Sequence, residues 1–193
     1  ALVRHVTRAG ERPATSFVPP LVPGYDPPKT SVVRFDPAAA RSLLEEAHLS
    51  SPLEVEILYA SADVNREVAL TLQDLWSRHL GARVRLTNQE WKVCLQSTKA
   101  REYDVARSSW VADYPDAESF LDVFRGDDPN NRTGWRSERY DALVEAATRE
   151  RDRAVGDDPV SKAADHVRRE PVIGLRGVSA DRADQHPSPV RRE

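Results

Sequence analysis

Strand-like and helix-like patterns alternate along the middle of the chain. Apolar residues alternate with glutamates over residues 53–57, which is typical of a β-strand with one wet face. Apolar residues at helical spacing follow and end at Gly81, a residue that favours a helix C-terminus. Two more strand-like stretches follow at residues 83–86 and 103–108. This order predicts an α/β fold in which helices flank a sheet.

Helices are also predicted before and after this series. Asp36 followed by Pro37 is typical of a helix start, because aspartate accepts hydrogen bonds from free N–H groups and proline fits the first turn. We expect a short helix after Trp91 and later helices from Ser137 and around residues 160–167. Three aromatic residues at helix-periodic positions are predicted to lie in the core: Trp76, Trp91 and Phe120.

The two ends of the chain do not follow this alternation of strand-like and helix-like patterns. Prolines crowd the early part, and proline cannot supply the central hydrogen bonds of a sheet, so residues 1–30 are predicted to form an extended Pro-rich leading segment. Residues 31–176 are predicted to form one α/β unit. After Ile173 the chain is polar and charged, and residues 177–193 are predicted to be a disordered tail.

Charge and hydropathy exclude several classes of partner. The net charge of -3, from 28 basic and 31 acidic residues, gives no broad field that would attract nucleic acid or an anionic membrane. No apolar run approaches the ~18 residues that span a bilayer, and no leader-like signal segment opens the chain. Cys94 is the single cysteine, so no internal disulfide is expected and a small buried side chain is predicted there.

The sequence lacks the usual catalytic motifs. It contains no GxSxG, HExxH, Walker loop or dinucleotide-binding glycine pattern, and its five histidines are widely spaced. We therefore expect no catalytic residue, no metal and no cofactor. One enzymatic alternative is a hydrolase that uses the carboxylates of Asp113, Asp116 and Glu118. Clustering in one loop does not place carboxylates across a scissile bond, which weakens this alternative.

The stretch after the third predicted strand combines an arginine, acids and aromatic rings. Alternation along that strand predicts one face made of Tyr103, Val105, Arg107 and Ser109. Beyond it, Trp110 and Tyr114 lie on either side of Asp113, and we expect their rings to exclude water from one side of the carboxylate. A carboxylate in a drier site suits an ammonium group, and aromatic faces add cation–π attraction.

Plainer interpretations of the same residues stay open. Asp113 or Asp116 can cap the helix predicted to follow them, with Pro115 in the turn. Arg107 has two neighbouring acids with which it can pair, Glu102 and Asp104. Asn130 and Asn131 follow a proline and two aspartates and are typical of a turn.

Five segments in fixed order carry a resemblance to a known family. They are NQEWK (Asn88–Lys92), YDVAR (Tyr103–Arg107), WVADY (Trp110–Tyr114), NNRTGW (Asn130–Trp135) and a helix opening with Tyr140 and Asp141. Together with the first twenty residues, they resemble the extracytoplasmic oligopeptide-binding proteins of ABC importers. The similarity fades after Ile173. Family members are longer, two-lobed proteins that enclose a peptide, and the chain resembles the lobe encoded by their C-terminal half.

This resemblance implies a fold and a ligand site. The fold would be one lobe of a two-lobed periplasmic-binding-protein-like fold, with a mixed sheet flanked by helices, and residues 31–176 would be the peptide-binding lobe. Asp113 matches the acid that binds the peptide α-amino group, Trp110 a neighbouring cleft tryptophan, and Arg107 an arginine able to meet ligand carboxylates. The implied ligand-binding set is completed by Ser109, Tyr114 and Asn131. Backbone pairing with the extended peptide would allow many sequences to bind.

The resemblance also implies partners and a location. The partners would be an oligopeptide, an ABC transporter permease and the missing companion lobe, and the location periplasmic or otherwise extracytoplasmic. A chain without methionine, even at position 1, is expected of a processed or incomplete product. The alternative is a truncated or repurposed lobe that acts as a protein-interaction domain.

Overall fold

The structure is a computed structural model that describes residues 2–8, 10, 14, 16–20, 22, 23, 25, 35–49, 52–149 and 162–164. Its strands are β1 (Glu54–Ala60), β2 (Arg83–Gln89) and β3 (Val105–Ala106). Its helices are α1 (Pro37–Glu46), α2 (Asp63–Leu80), α3 (Trp91–Ala100), α4 (Glu118–Leu121) and α5 (Glu138–Arg149), with a π-helical turn at Val3–Thr7 and a 3-10 turn at Asp122–Phe124.

The sheet has β1 at its centre, in the order β2-β1-β3. Both pairings are parallel, and Ile57 of β1 lies opposite Leu86 on one side and Val105 on the other. Parallel neighbours require crossover connections, which α2 and α3 provide. The α/β prediction is confirmed, while the expected mixed sheet is parallel in all three strands that the structure describes.

Helices cover both faces of the central strand. Ile57 and Tyr59 pack with residues of α2, whereas Leu58 and Ala60 pack with Cys94 of α3. The expectation of a wet face is therefore wrong beyond the first residues of β1, because a central parallel strand is buried on both sides. Burial raises the pKa of the Cys94 thiol, as the prediction of a small buried side chain requires.

Local sequence signals set the helix ends. The Asp36 carboxylate accepts a hydrogen bond from the N–H of Ala39 at 3.0 Å, and Pro37 is the first residue of α1, as predicted. Helix α2 ends at Gly81, whose φ of 66° is left-handed. Trp91 is 58% exposed at the start of α3, so its predicted core position is wrong. Its helical spacing gave no information about whether a neighbour covers that side.

A third core cluster joins α4 and α5 to the leading residues. Tyr140 and Val144 of α5 pack with Leu121, Val18 and Val22, all of them buried. The Tyr140 hydroxyl donates to the Leu121 carbonyl oxygen at 2.6 Å. Phe120 packs against the same cluster, as expected for a core residue. These contacts fix the short helix α4, which follows the candidate binding loop, to the body of the protein.

Several predictions lie wholly or partly outside the described residues. They include the tail at 177–193 and most of the helix expected around 160–167. The proposed boundaries at residues 30 and 176 stay predictions. Within the described part of the chain, no helix is long and apolar enough to cross a membrane.

Candidate functional site

The candidate site lies where the order of the strands reverses. Helix α2 leads from β1 to β2 across one face of the sheet, and α3 leads back across the other face to β3. The carboxyl ends of β1 and β3 are therefore neighbours, and the Arg107 N–H donates to the Leu58 carbonyl at 2.8 Å there. In open α/β sheets such a reversal leaves a crevice that binds ligands. The loop from Arg107 to Ala117 starts at this crevice.

The third strand is shorter than predicted. It contains only Val105 and Ala106, which pack on opposite faces of the sheet. Tyr103 precedes the strand and packs on the face of Ala106, while its hydroxyl donates to the Arg132 carbonyl at 2.7 Å. The predicted common face of Tyr103 and Val105 is therefore wrong, because strand alternation does not extend back to Tyr103.

Arg107 lies half-buried just after the strand, and Ser109 is exposed beyond it. Within the residues that the structure describes, the Arg107 guanidinium forms no hydrogen bond or ion pair. Asp104, one of the acids considered as its partner, instead accepts a hydrogen bond from the Glu56 N–H at 2.9 Å. Arg107 forms no ion pair with Glu102 or Asp104, and it is not among the residues that line the pocket described below.

Ser119 holds the loop at two points. Its carbonyl oxygen accepts a hydrogen bond from the Trp110 indole N–H at 2.6 Å. Its hydroxyl oxygen accepts one from the backbone N–H of Asp113 at 3.2 Å. The Trp110 ring is thus fixed to the backbone of α4, and Asp113 follows in a loop whose backbone is fixed to the same residue.

The Asp113 carboxylate takes no part in these contacts. Its side chain is exposed. No described residue donates a hydrogen bond to it or forms an ion pair with it. Asp113 and Tyr114 line an open pocket of about 390 Å³. The other lining residues are Pro19, Val22, Ala112, Pro115 and Phe120. We expected the rings of Trp110 and Tyr114 to exclude water from the Asp113 carboxylate. They do not, because Asp113 is exposed and the pocket is open.

The second aspartate, Asp116, lies one residue before the N-cap Ala117 and still bonds to the start of α4. Asp116 accepts a hydrogen bond from the N–H of Glu118, the first residue of α4, at 2.9 Å. The Glu118 carboxylate accepts one from the Thr148 hydroxyl of α5 at 2.5 Å. Of the three carboxylates in the hydrolase alternative, these two form hydrogen bonds within the fold, and Asp113 forms none with a described residue.

Asn131 is buried in a turn rather than directed at the pocket. Its side-chain N–H groups donate to the carbonyl oxygens of Phe124, Arg125 and Trp135 at 3.3, 2.8 and 2.9 Å. Its side-chain oxygen accepts from the hydroxyl of Thr133 at 2.7 Å. This geometry favours the turn interpretation, and a ligand role for Asn131 stays a prediction without support from these contacts.

The carboxyl group of Asp122, the residue that follows α4, has an unusual pKa. Burial, followed by the charge of Glu118, raises the pKa of Asp122 to about 6. Arg125 lies 3.9 Å away and opposes this shift only in part. In the described ranges, no group of three or more His, Cys, Asp or Glu residues is arranged to hold a metal ion.

The sequence interpretation missed two contributions to the site. Ser119 gave no motif of its own, since a serine two residues into a short helix is unremarkable. Pro19 and Val22 were assigned to a leading segment, although they form one wall of the pocket. The apolar residues that interrupt the prolines were the available signal for this wall, because apolar residues in a loop need something to pack against.

Known proteins are similar to this chain in sequence and in fold. The family model described as bacterial extracellular solute-binding proteins, family 5 middle, matches residues 1–132. The probable deoxycholate-binding periplasmic protein YgiS of Escherichia coli is 36% identical over 147 residues, which cover 70% of this chain and 26% of that protein. The periplasmic oligopeptide-binding protein OppA of Salmonella typhimurium is 32% identical over 149 residues, covering 74% and 27%.

Solved structures give the same result. The murein tripeptide-binding protein MppA of Escherichia coli superimposes with a TM-score of 0.80 at 26% identity, covering 90% of this chain and 35% of MppA. Haemophilus influenzae OppA, in complex with the peptide RPPGFSPFR, gives a TM-score of 0.77 at 28% identity, covering 86% and 34%. The chain thus spans about a quarter to a third of the length of these relatives.

Proposed function

Because the chain belongs to the family 5 bacterial extracellular solute-binding proteins, we propose that it is a peptide-binding lobe of an ABC-importer oligopeptide-binding protein. Relatives named as oligopeptide- or murein peptide-binding proteins support this proposal. The observation that carries it is the exposed Asp113 carboxylate, which has no partner among the described residues and lies in the wall of a pocket next to the strand reversal.

The chemistry of this site suits the N-terminus of a peptide. An ammonium group forms charge-assisted hydrogen bonds with a carboxylate, and the Tyr114 ring beside Asp113 adds cation–π attraction. The first side chain of the peptide would enter the pocket between Val22 and Phe120, whose lining is mostly apolar. Arg107 would meet a carboxylate of the ligand. The loop backbone would pair with the peptide main chain, which gives little preference for sequence.

A bile acid is the second candidate ligand, because one relative is named as a probable deoxycholate-binding protein. Deoxycholate carries an anionic carboxylate, which suits Arg107. The same anion is repelled by Asp113, whose charge no described residue neutralises. The presence of both groups favours a peptide, which carries an ammonium group at one end and a carboxylate at the other.

We propose no catalytic role for the chain. The named relatives are binding proteins, and two of the three clustered acids already serve the fold. The location of the relatives supports an extracytoplasmic, periplasmic position, with a permease and a companion lobe as partners. The repurposed interaction domain is the remaining alternative for a chain that acts without that lobe.

A ligand panel followed by NMR tests this proposal. We expect millimolar tripeptides with an N-terminal leucine to shift the backbone resonances of residues 107–115, with deoxycholate as the competing ligand. Asp116→Asn is the matched control, since its side chain lies in the same loop but serves the backbone of α4. Shifts at this loop with deoxycholate but not with peptides would reverse the choice of ligand. Turnover of a peptide would contradict the non-catalytic role.

A further inference from the structure

We propose that Ser119 is the positioning residue of the amine-binding loop. Its two oxygens hold the loop at two points, the Trp110 indole N–H and the backbone N–H of Asp113. This inference rests on the proposed function, because it assigns the geometry of the same site. Ser119 itself does not line the pocket.

Ser119 is buried in the fold, which is what such a role requires. It is 6% exposed, and the next buried residue of α4, Leu121, is 1% exposed in the core cluster with Tyr140. Asp116 further ties the loop to the start of α4 through the Glu118 N–H. The loop from Trp110 to Asp116 is therefore fastened to a helix that the core keeps in place.

The chemistry of the two contacts explains why a serine serves here. The Trp110 contact uses the backbone carbonyl of Ser119, which any residue offers. The Asp113 contact uses the hydroxyl oxygen, which alanine lacks. Because the accepted N–H belongs to Asp113 itself, this hydrogen bond sets the direction in which the carboxylate leaves the backbone.

A fixed loop lowers the entropic cost of binding. A loop that must be ordered by its ligand uses part of the interaction free energy for that ordering. Loss of the Ser119 hydroxyl removes no contact with the ligand, yet it releases the backbone at Asp113. We therefore expect weaker binding of the α-amine together with greater local mobility, and a smaller difference between free and N-acetylated peptides.

The experiment compares Ser119→Ala with two other variants of the 193-residue chain. Ser119→Thr keeps the hydroxyl, and Ser97→Ala removes a serine that is equally buried, at 8% exposure, in α3. Three quantities are measured by NMR: hydrogen exchange of the Asp113 amide, the Trp110 indole N–H resonance, and the affinity for a leucine-initiated tripeptide with a free or an acetylated amine. Trp110→Phe assigns the indole resonance.

We expect Ser119→Ala to speed exchange of the Asp113 amide by about tenfold or more and to weaken binding of the free-amine peptide by about twofold to fivefold. Ser119→Thr should keep the exchange rate and the peptide affinity close to those of the wild type. Ser97→Ala should change neither quantity. If Ser119→Ala does not fold, Trp110→Phe removes the other contact while leaving Ser119 intact, and it should also speed Asp113 exchange.

Two results would overturn the proposal. One is unchanged exchange and affinity in Ser119→Ala, and the other is an equal loss in Ser97→Ala, which would show a general effect of stability. Failure of the proposed function looks different. In that case the wild-type chain does not distinguish free from acetylated peptides, while exchange of the Asp113 amide still decides whether Ser119 fixes the loop.

Discussion

At the scale of single residues, the candidate site contains side chains that form hydrogen bonds within the fold and side chains that have no partner among the described residues. The side chains of Asp116, Glu118 and Asn131 are engaged by described neighbours, whereas the carboxylate of Asp113 and the guanidinium of Arg107 are not. Local spacing alone did not distinguish these five residues, and only the family resemblance separated Asp113 and Arg107 from Asp116. Hydrogen-bond partners depend on distant segments, such as Thr148 for Glu118, which local spacing does not reveal.

The Asn131 turn yields the first prediction. Asn131→Ala removes the side chain that joins the carbonyls of Phe124, Arg125 and Trp135, leaving buried polar groups without partners. We expect a loss of about 2 to 4 kcal/mol in the free energy of unfolding, measured by urea denaturation. The control is Asn130→Ala, which alters an exposed neighbour and should change stability little. A loss of peptide affinity without a loss of stability would instead support a ligand role for Asn131.

Asp122 yields a prediction about pH. Its pKa in the folded chain is about 6, above the ordinary value of 3.8, so the folded state binds its proton more tightly. The stability from this proton is fully present below about pH 4 and is lost as the pH rises through 6. Asp122→Asn removes this loss. Since the side chain is about one-third exposed, we expect a gain near pH 7 of only about 1 kcal/mol after screening.

The check is thermal unfolding of both chains at pH 4 and pH 7. The difference between the variant and the wild type isolates Asp122, because the other carboxylates titrate in both chains. The variant should be the more stable chain at pH 7, and the advantage should shrink or vanish at pH 4. A variant that is less stable at pH 7 would show that attraction to Arg125 outweighs the cost of burying the charge.

At the scale of elements, the chain follows its local patterns where neighbours complete them. Helix α2 and strand β2 were predictable because periodic apolar residues coincide with covered faces. The predicted length of β3 was too great, because the length of this strand depends on how far it lies beside β1 and not on its own residues. The exposed Trp91 shows the same limit for a helix. Apolar spacing indicates that a face exists, but not that anything packs on it.

The end of α2 provides a test at this scale. Gly81 has a φ of 66°, and a Cβ added there meets no atom within 4 Å, so the cost of alanine is the left-handed backbone alone. We expect Gly81→Ala to lower stability by about 1 kcal/mol, seen as a fall of about 2 to 4 °C in Tm. Gly81→Asn should cost less, because asparagine tolerates this conformation. Equal effects of the two substitutions would argue against the left-handed cap.

At the scale of the whole molecule, the described residues form one side of the proposed binding site. Ligands owe affinity to enclosure, yet Asp113 is exposed and its pocket is open. The relatives are about three to four times longer than the matched part, so a companion lobe would supply the other side. The sequence could indicate this architecture only through its resemblance to longer proteins, because no local pattern reports an absent partner.

Enclosure leads to a prediction for a two-lobed protein. If the chain is joined to the remaining part of a relative such as OppA, we expect peptide affinity to rise by at least about tenfold. Calorimetric titration of the 193-residue chain and the joined protein with the same peptide measures this gain. The joined protein with Asp113→Asn serves as its control, since it keeps the enclosure but lacks the charge. Equal affinity of the two forms would show that one lobe is sufficient.

The most direct test of the account is a thermodynamic cycle on the amine and Asp113. A leucine-initiated tripeptide and its N-acetylated form are titrated against the wild-type chain and Asp113→Asn, with Asp116→Asn as the control. For an exposed pair we expect acetylation to weaken binding to the wild type by about fivefold, or about 1 kcal/mol. Acetylation should have almost no effect in Asp113→Asn, and Asp116→Asn should resemble the wild type. Equal effects of acetylation in the wild type and Asp113→Asn would contradict the assignment of Asp113 as the amine receptor.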